Sequence, residues 1–196
     1  MNIYLAADNT DIIPGDLIIR CVARTDLAPV PRTIELTVRI KDDLESRLIE
    51  GNSIWAGYEN LRYRIVKAER GGSSGLVQGA DPLAALTITA LLYSCAQVAF
   101  RLPRAVIREN CNLAELYRAC GADVAIAEDF SVRRFTCFAG DVPSFDLARA
   151  MQDEAAVVVL RDGMLSMQRV ATLATQVPVD EILQSDDSGQ ISSEFL

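Results

Sequence analysis

Histidine is absent from this chain of 196 residues. With it go Ser-His-Asp triads, Cys-His nucleophile pairs and mixed Cys/His zinc sites, all of which need an imidazole. Cysteine occurs five times, at Cys21, Cys95, Cys111, Cys120 and Cys137, an odd number with no Cys-x-x-Cys spacing and mostly apolar neighbours. That pattern reads as free thiols packed as small hydrophobes in a reducing compartment. Positive charge is also scarce: 19 Lys and Arg against 27 Asp and Glu leave a formal net charge of −8, and no basic run occurs. A nucleic-acid groove or an anionic membrane surface needs clustered cations, so neither sequence-specific nucleic acid nor membrane is an expected partner. The longest uncharged apolar stretch, 82–100, is interrupted by Thr87, Thr89, Ser94, Cys95 and Gln97 and is rich in β-formers, so it reads as buried strands and not as a membrane span. The first ten residues lack a basic segment and turn acidic at Asp8, so no signal peptide is expected, and synthesis and residence in a cytosol follow.

What is present is ordinary globular material, 50% apolar and 23% charged, in a chain long enough for one large or two small domains. A β-rich domain over 1–102 comes first. Residues 17–24 and 33–40 carry β-branched alternation, with Ile34, Leu36, Val38 and Ile40 on one side and Glu35, Thr37 and Arg39 on the other. Between them Ala28-Pro-Val-Pro31 is a stiff extended connector, because each proline fixes its own φ and restricts its predecessor. Residues 42–50 place Leu44, Leu48 and Ile49 at helical spacing before Gly51, which predicts a short helix or wide loop. Residues 53–57 and 61–69 predict a hairpin around Tyr58-Glu-Asn60, with Tyr63, Ile65 and Val66 turned inward. Four or five short strands and one helical turn suggest a small barrel or sandwich. Gly71-Gly-Ser-Ser-Gly75 reads as a flexible hairpin tip or linker, since no Gly-Lys-Ser/Thr follows to make it a phosphate loop. The chain returns to β character over 86–100 and breaks at Pro103.

An α+β domain over 103–177 reads as one strand-helix-strand-strand unit written twice, at 104–135 and 134–170, with Arg134 and Phe135 in the strand that joins the copies. In the first, Asn112 and Glu115 have the form of a capping box. Leu113, Leu116, Tyr117 and Cys120 then line one helix face, and Gly121 closes the helix. Residues 124–127 and 132–138 are the expected strands, with Glu128-Asp129 at the turn. In the second, Pro143-Ser144 opens a helix with Leu147, Ala148, Met151 and Ala155 on its apolar face, and 156–160 and 164–170 form a hairpin around Arg161-Asp-Gly163. Each copy is expected to build its own small core. The predicted fold class is therefore α+β, a small β-barrel or sandwich followed by two β-α-β-β-like units.

Three further features have both a functional and a plain reading. The acidic residues Asp8, Asp11, Asp16, Asp42-Asp43, Asp153-Glu154 and Asp186-Asp187 include pairs of the kind a glycosidase or metal-dependent hydrolase uses, but they fall at loops, helix ends and the tail, where solvated carboxylates are common. Trp55 and Tyr58 flank Gly57 and suit either an interface or, as the preferred reading, an inward Trp plugging a small barrel. Residues 178–196 are acidic and serine-rich, too polar to offset the entropy of ordering, so a disordered tail is expected, with Phe195-Leu196 as a possible docking peptide. No catalytic residue, cofactor or metal ligand is indicated.

The stretches Val30-Pro-Arg-Thr-Ile-Glu-Leu-Thr-Val38, Glu50-Gly51 and Tyr63-Arg-Ile-Val66 resemble the first barrel of the baseplate hub proteins of phage tails and contractile injection machines. Asn112-Leu-Ala-Glu-Leu-Tyr117, Arg134-Phe135, Pro143-Ser144, Leu147-Ala-Arg-Ala-Met-Gln-Asp-Glu154 and Asp162-Gly-Met-Leu165 are similar to the helix and hairpin module of the same hubs. The resemblance implies a structural protein of the virion tail without enzymatic activity. It would form a trimeric or hexameric ring that meets the tail tube, baseplate and spike proteins. Hub chains generally carry two barrels, and only one is easy to find here. Two other classes remain open: a soluble adaptor or assembly chaperone that binds through its acidic C-terminal tail, and a hydrolase using an acidic pair with a divalent metal.

Overall fold

A computed structural model of the chain describes residues 2–41, 43–56, 60–71, 84–161 and 163–175. The expectations for Asp42, for 57–59 with Tyr58, for the 72–75 part of the glycine-serine segment, for Asp162 and for the tail at 178–196 lie outside the described residues. The fold is mixed α+β and rich in strands.

Alternating apolar residues build the first sheet. In chain order come β1 (Ile3–Tyr4), β2 (Ile18–Thr25), β3 (Arg32–Arg39), a four-residue helix α1 (Leu44–Arg47), β4 (Ser53–Ala56), β5 (Leu61–Gly71) and β6 (Ala85–Leu92). The strands form one six-stranded sheet in the order β1-β4-β5-β6-β3-β2, and every pairing is antiparallel. The parity predicted for β3 is found: Ile34, Leu36 and Val38 are buried, with Glu35 and Thr37 on the other face. Ile54, Tyr63, Ile65 and Ile88 point to the same interior. Val66 is only half-buried, because the register shifts between Ile65 and Lys67. In the predicted helix near 42–50, Leu44 and Leu48 pack inward, while Ile49 is exposed past the helix end.

Chain connectivity forces this sheet to curl. At one edge the Ile13 amide donates to the Ile3 carbonyl at 2.9 Å, and at the other edge β2 begins at Ile18. A flat six-stranded sheet would hold its edge strands about 24 Å apart, whereas five residues reach at most about 17 Å. The edges are drawn together, but β1 and β2 do not pair. The expected barrel is thus a curled, open half-barrel.

The second half departs from the sequence expectation in two places. The stretch 86–100 is a strand only to Leu92; α2 (Tyr93–Ala96) and a 3-10 turn over Gln97–Ala99 follow. A continuous apolar run satisfies either period, and burial of Cys95, Ala96 and Val98 on one side selects the helical one. Beyond it lie β7 (Val106–Asn112), α3 (Leu113–Ala119), β8 (Ile126–Glu128), β9 (Ser131–Cys137), α4 (Pro143–Asp153), β10 (Ala156–Arg161), β11 (Met164–Arg169) and α5 (Val170–Ala174). Strand, helix, strand, strand is indeed read twice, with β9 shared, and β10 and β11 form the expected hairpin. However, β8 and β9 do not. β9 pairs antiparallel with β7, while β8 runs parallel to β11 in a sheet ordered β10-β11-β8.

The predicted turn residues explain the exchange. Asp129 turns both carboxylate oxygens to the Ala114 amide at 3.2 Å, and the Phe130 carbonyl accepts from Leu113 N–H at 3.0 Å. The would-be hairpin turn is spent on the open N-terminus of α3. Glu128 instead accepts from the Ser166 hydroxyl at 3.1 Å and from the Gln168 side-chain amide, which fastens β8 to β11. The two copies consequently share one continuous core, containing Leu116, Tyr117, Leu147, Met151, Val158 and Leu165 together with the half-barrel residues, and do not build separate ones.

The helix ends follow the sequence signals. Glu115 accepts from the Asn112 amide at 3.1 Å, completing the capping box. At the other end of α3, Gly121 has φ +87 and Ala122 N–H reaches back to the Tyr117 carbonyl at 3.0 Å. In α4, Ala150 joins Leu147 and Met151 on the buried face. Ala155 lies beyond the helix end, exposed and at φ +46.

Gly121 offers a direct check on this packing. A Cβ there would sit 2.9 Å from Gln97 Cγ, in addition to the strain of positive φ, whereas Gly140 at φ +90 has open space. Gly121→Ala is expected to cost about 1–3 kcal/mol, measurably more than Gly140→Ala, by urea unfolding of the two variants. Equal losses would show that the Gln97 contact is immaterial.

Candidate functional site

Strand parity decides where the one tryptophan goes. Ile54 and Ala56 fill the interior, so Ser53 and Trp55 must face outward, and Trp55 is half-buried on the outer side of the sheet. The expected barrel plug is therefore an outer-face residue. Cross-strand register sets Tyr4 beside Trp55 and Trp55 beside Arg62, and the pairing of Tyr63 with Leu92 brings Arg62 to Tyr93 at the start of α2. The guanidinium carbon of Arg62 lies 3.6 Å from the Tyr93 ring centroid and 5.6 Å from that of Trp55. Its Nε donates to Ser53 Oγ at 3.0 Å.

Two residues along the same strand face, Arg64 stacks 4.9 Å from the Phe100 centroid and donates to Gln97 Oε1 at 3.4 Å. A cavity of about 320 Å³ opens beside the row, lined by Leu5, Arg47, Asn52, Ser53, Trp55 and Arg62. Arg47 is already claimed, by Asp11 and by Asp43 at 4.0 Å. Alternation with the inward Tyr63 and Ile65 sets Arg62 and Arg64 on the outer face, whereas their aromatic partners come from elsewhere in the chain.

The acidic candidates are dispersed. Asp8 accepts from the Thr10 hydroxyl at 2.7 Å, which holds its carboxyl below the usual range. Asp11 and Asp43 serve Arg47, Asp16 sits in a 3-10 turn, and Glu154 binds Arg169 at 2.7 Å. Among the described residues no group of three His, Cys, Asp or Glu side chains is placed to hold a metal ion, and no helix is long and apolar enough to cross a membrane.

All five thiols are free, four buried and Cys21 half-buried. Burial pushes Cys95 and Cys120 up to about 11 and Cys137 up to about 12, with Asp146 adding to the last two. A raised thiol favours the folded state only while it stays protonated. That stability is fully present below the ordinary value of 9.0 and is lost as pH rises through about 11 to 12. The urea midpoint should fall from about pH 9 upward, and less steeply in a Cys95→Ala, Cys137→Ala double variant. Equal slopes in the two proteins would contradict thiol burial as the cause.

Apolar surface is left open at another face. Ile107 on β7 and Phe138 just past β9 are 54% and 61% exposed, and Phe145 in the first turn of α4 is 74% exposed. Ile107 pairs with Thr136, two residues from Phe138, so the two apolar residues share the outer face of the β7–β9 ribbon.

No family model matches the sequence, and no curated protein matches it. Solved structures do. The chain is similar to the 43 kDa tail protein of prophage MuSo2 from Shewanella oneidensis, with 14% identity and a TM-score of 0.52 over 86% of this chain and 55% of that one. It is also similar to prophage tail protein gp18 from Listeria monocytogenes EGD-e, at 13% identity and a TM-score of 0.49 over 86% of this chain and 50% of that one. A third likeness is to the E. coli c3393 protein, a component of the type VI secretion system with structural similarity to the T4 bacteriophage tail proteins gp27 and gp5. There identity is 10% and the TM-score 0.43, over 69% of this chain and 41% of that one. The chain spans about half the length of the two prophage tail proteins. What it shares with the Shewanella tail protein is the fold.

Proposed function

We propose that this chain is a structural, non-enzymatic subunit of a phage-type tail or contractile injection machine, forming a hub-like ring that joins the tail tube to the baseplate and spike. The observation that carries the reading is the fold shared with the Shewanella prophage tail protein over 86% of the chain. Ile107 and Phe138, exposed together on the outer face of the β7–β9 ribbon, support it, because a shared apolar patch is a surface that a partner can cover. The absence of any histidine and the upward-shifted thiols are consistent with a role in docking and not in chemistry.

Self-association is the first property to measure. Light scattering coupled to size exclusion, over a range of concentrations, should give a native mass of three or six times 21.4 kDa. A mass of one chain at every concentration would overturn the ring.

A further inference from the structure

We propose that the outer face of β5 is a docking site for an acidic segment of a partner protein. Arg62 and Arg64 receive its carboxylates, and the cavity beside Trp55 takes the first of them. This goes beyond the tail reading and does not depend on it.

Spacing and preorganisation carry the proposal. Arg62 and Arg64 stand two residues apart on one strand face, about 6.8 Å along the strand. An extended segment with acidic residues at alternate positions repeats its side chains at the same interval. Arg62 is held before any ligand arrives: Tyr93 and Trp55 flank its guanidinium, and Ser53 takes its Nε. Stacking occupies the flat faces of a guanidinium and leaves its in-plane Nη hydrogens free for a carboxylate.

Among the described residues neither arginine has a carboxylate partner. Arg20 and Arg24 by contrast bind Glu35, Arg47 binds Asp11, Arg70 binds Glu45 and Arg169 binds Glu154. What sets Arg62 and Arg64 apart is that aromatic rings and the Ser53 and Gln97 side chains hold both guanidinium groups side by side on one face, ready to receive an acid. Asn52 and Ser53 on the cavity wall supply further hydrogen-bonding groups. A nucleic acid would bring the same negative sign, but with a charge on every phosphate it accumulates repulsion from a chain of net charge −8 that a segment making two carboxylate contacts largely avoids.

Trp55 is the single tryptophan, so its emission reports on the cavity alone. The full chain is titrated at low salt with a six-residue peptide alternating glutamate and serine, with the glutamine counterpart, and with a single-stranded oligothymidylate. The expected result is a saturable emission change with the glutamate peptide only. Calorimetry with the same peptide, which does not rely on Trp55, should then show binding roughly tenfold weaker in Arg62→Gln and weakened also in Arg64→Gln. Both substitutions lie on the outer face, and unaltered melting confirms that the variants fold. A flat titration, an equal response to the glutamine peptide, saturation by the oligonucleotide alone, or unchanged affinity in both variants would overturn the proposal.

Discussion

Replacing Tyr117 by alanine is expected to lower the unfolding free energy by about 3–5 kcal/mol, the largest loss from one residue outside the half-barrel. Tyr117 is fully buried on α3, and its hydroxyl donates to the Pro29 carbonyl at 2.9 Å, 88 positions away in sequence. That bond ties the helix of the second half to the proline connector between β2 and β3. Removing the ring leaves a cavity in a continuous core and strands a buried carbonyl at the same time. Tyr117→Phe separates the two contributions, because it keeps the ring and deletes only the donor; about 1–3 kcal/mol should be lost. Urea unfolding followed by far-ultraviolet circular dichroism and by Trp55 emission checks both. The two probes should move together, since Trp55 lies in the half-barrel and Tyr117 in the other half. A shift in one probe alone would show that the halves unfold independently.

Ile88→Ala should cost about 2–5 kcal/mol, and its neighbour Thr87→Ala only about 1 kcal/mol. β6 is central, with β3 on one side and β5 on the other. Ile88 is fully buried between Leu36 and Ala68 across the ladders. Thr87 faces the other way and shares a hydroxyl contact of 3.1 Å with Thr37. The contrast tests the inward side of the curled sheet by chemical denaturation of two adjacent variants. Equal losses would mean that both faces are equally covered, and the half-barrel would need redrawing.

Where a signal was local, the sequence carried it. The alternation from Ile34 to Val38, the pairing of Asn112 with Glu115, the closing Gly121 and the hairpin between β10 and β11 are each written in a few adjacent residues. Long-range pairing was not legible. β8 has three residues and takes a partner, β11, that lies beyond the next helix and hairpin strand, and no short-range pattern encodes that choice. The run at 86–100 failed for another reason: uninterrupted apolar residues satisfy both the strand and the helix period up to the point where packing decides. Trp55 was misplaced although the answer lay beside it, since an inward Ile54 leaves an adjacent strand residue only the opposite face. The stacked arginines were missed because their meaning depends on Tyr93, which register and not sequence proximity brings to Arg62.

The central claim is a place in a machine, so the most direct measurement is position. A tagged copy of the chain would be expressed in a cell that encodes it, tail particles purified, and the tag located by electron microscopy of labelled particles. A ring of label at one axial position, between tube and spike, is the predicted result. Label spread along the tube, or particles without it, would contradict the account.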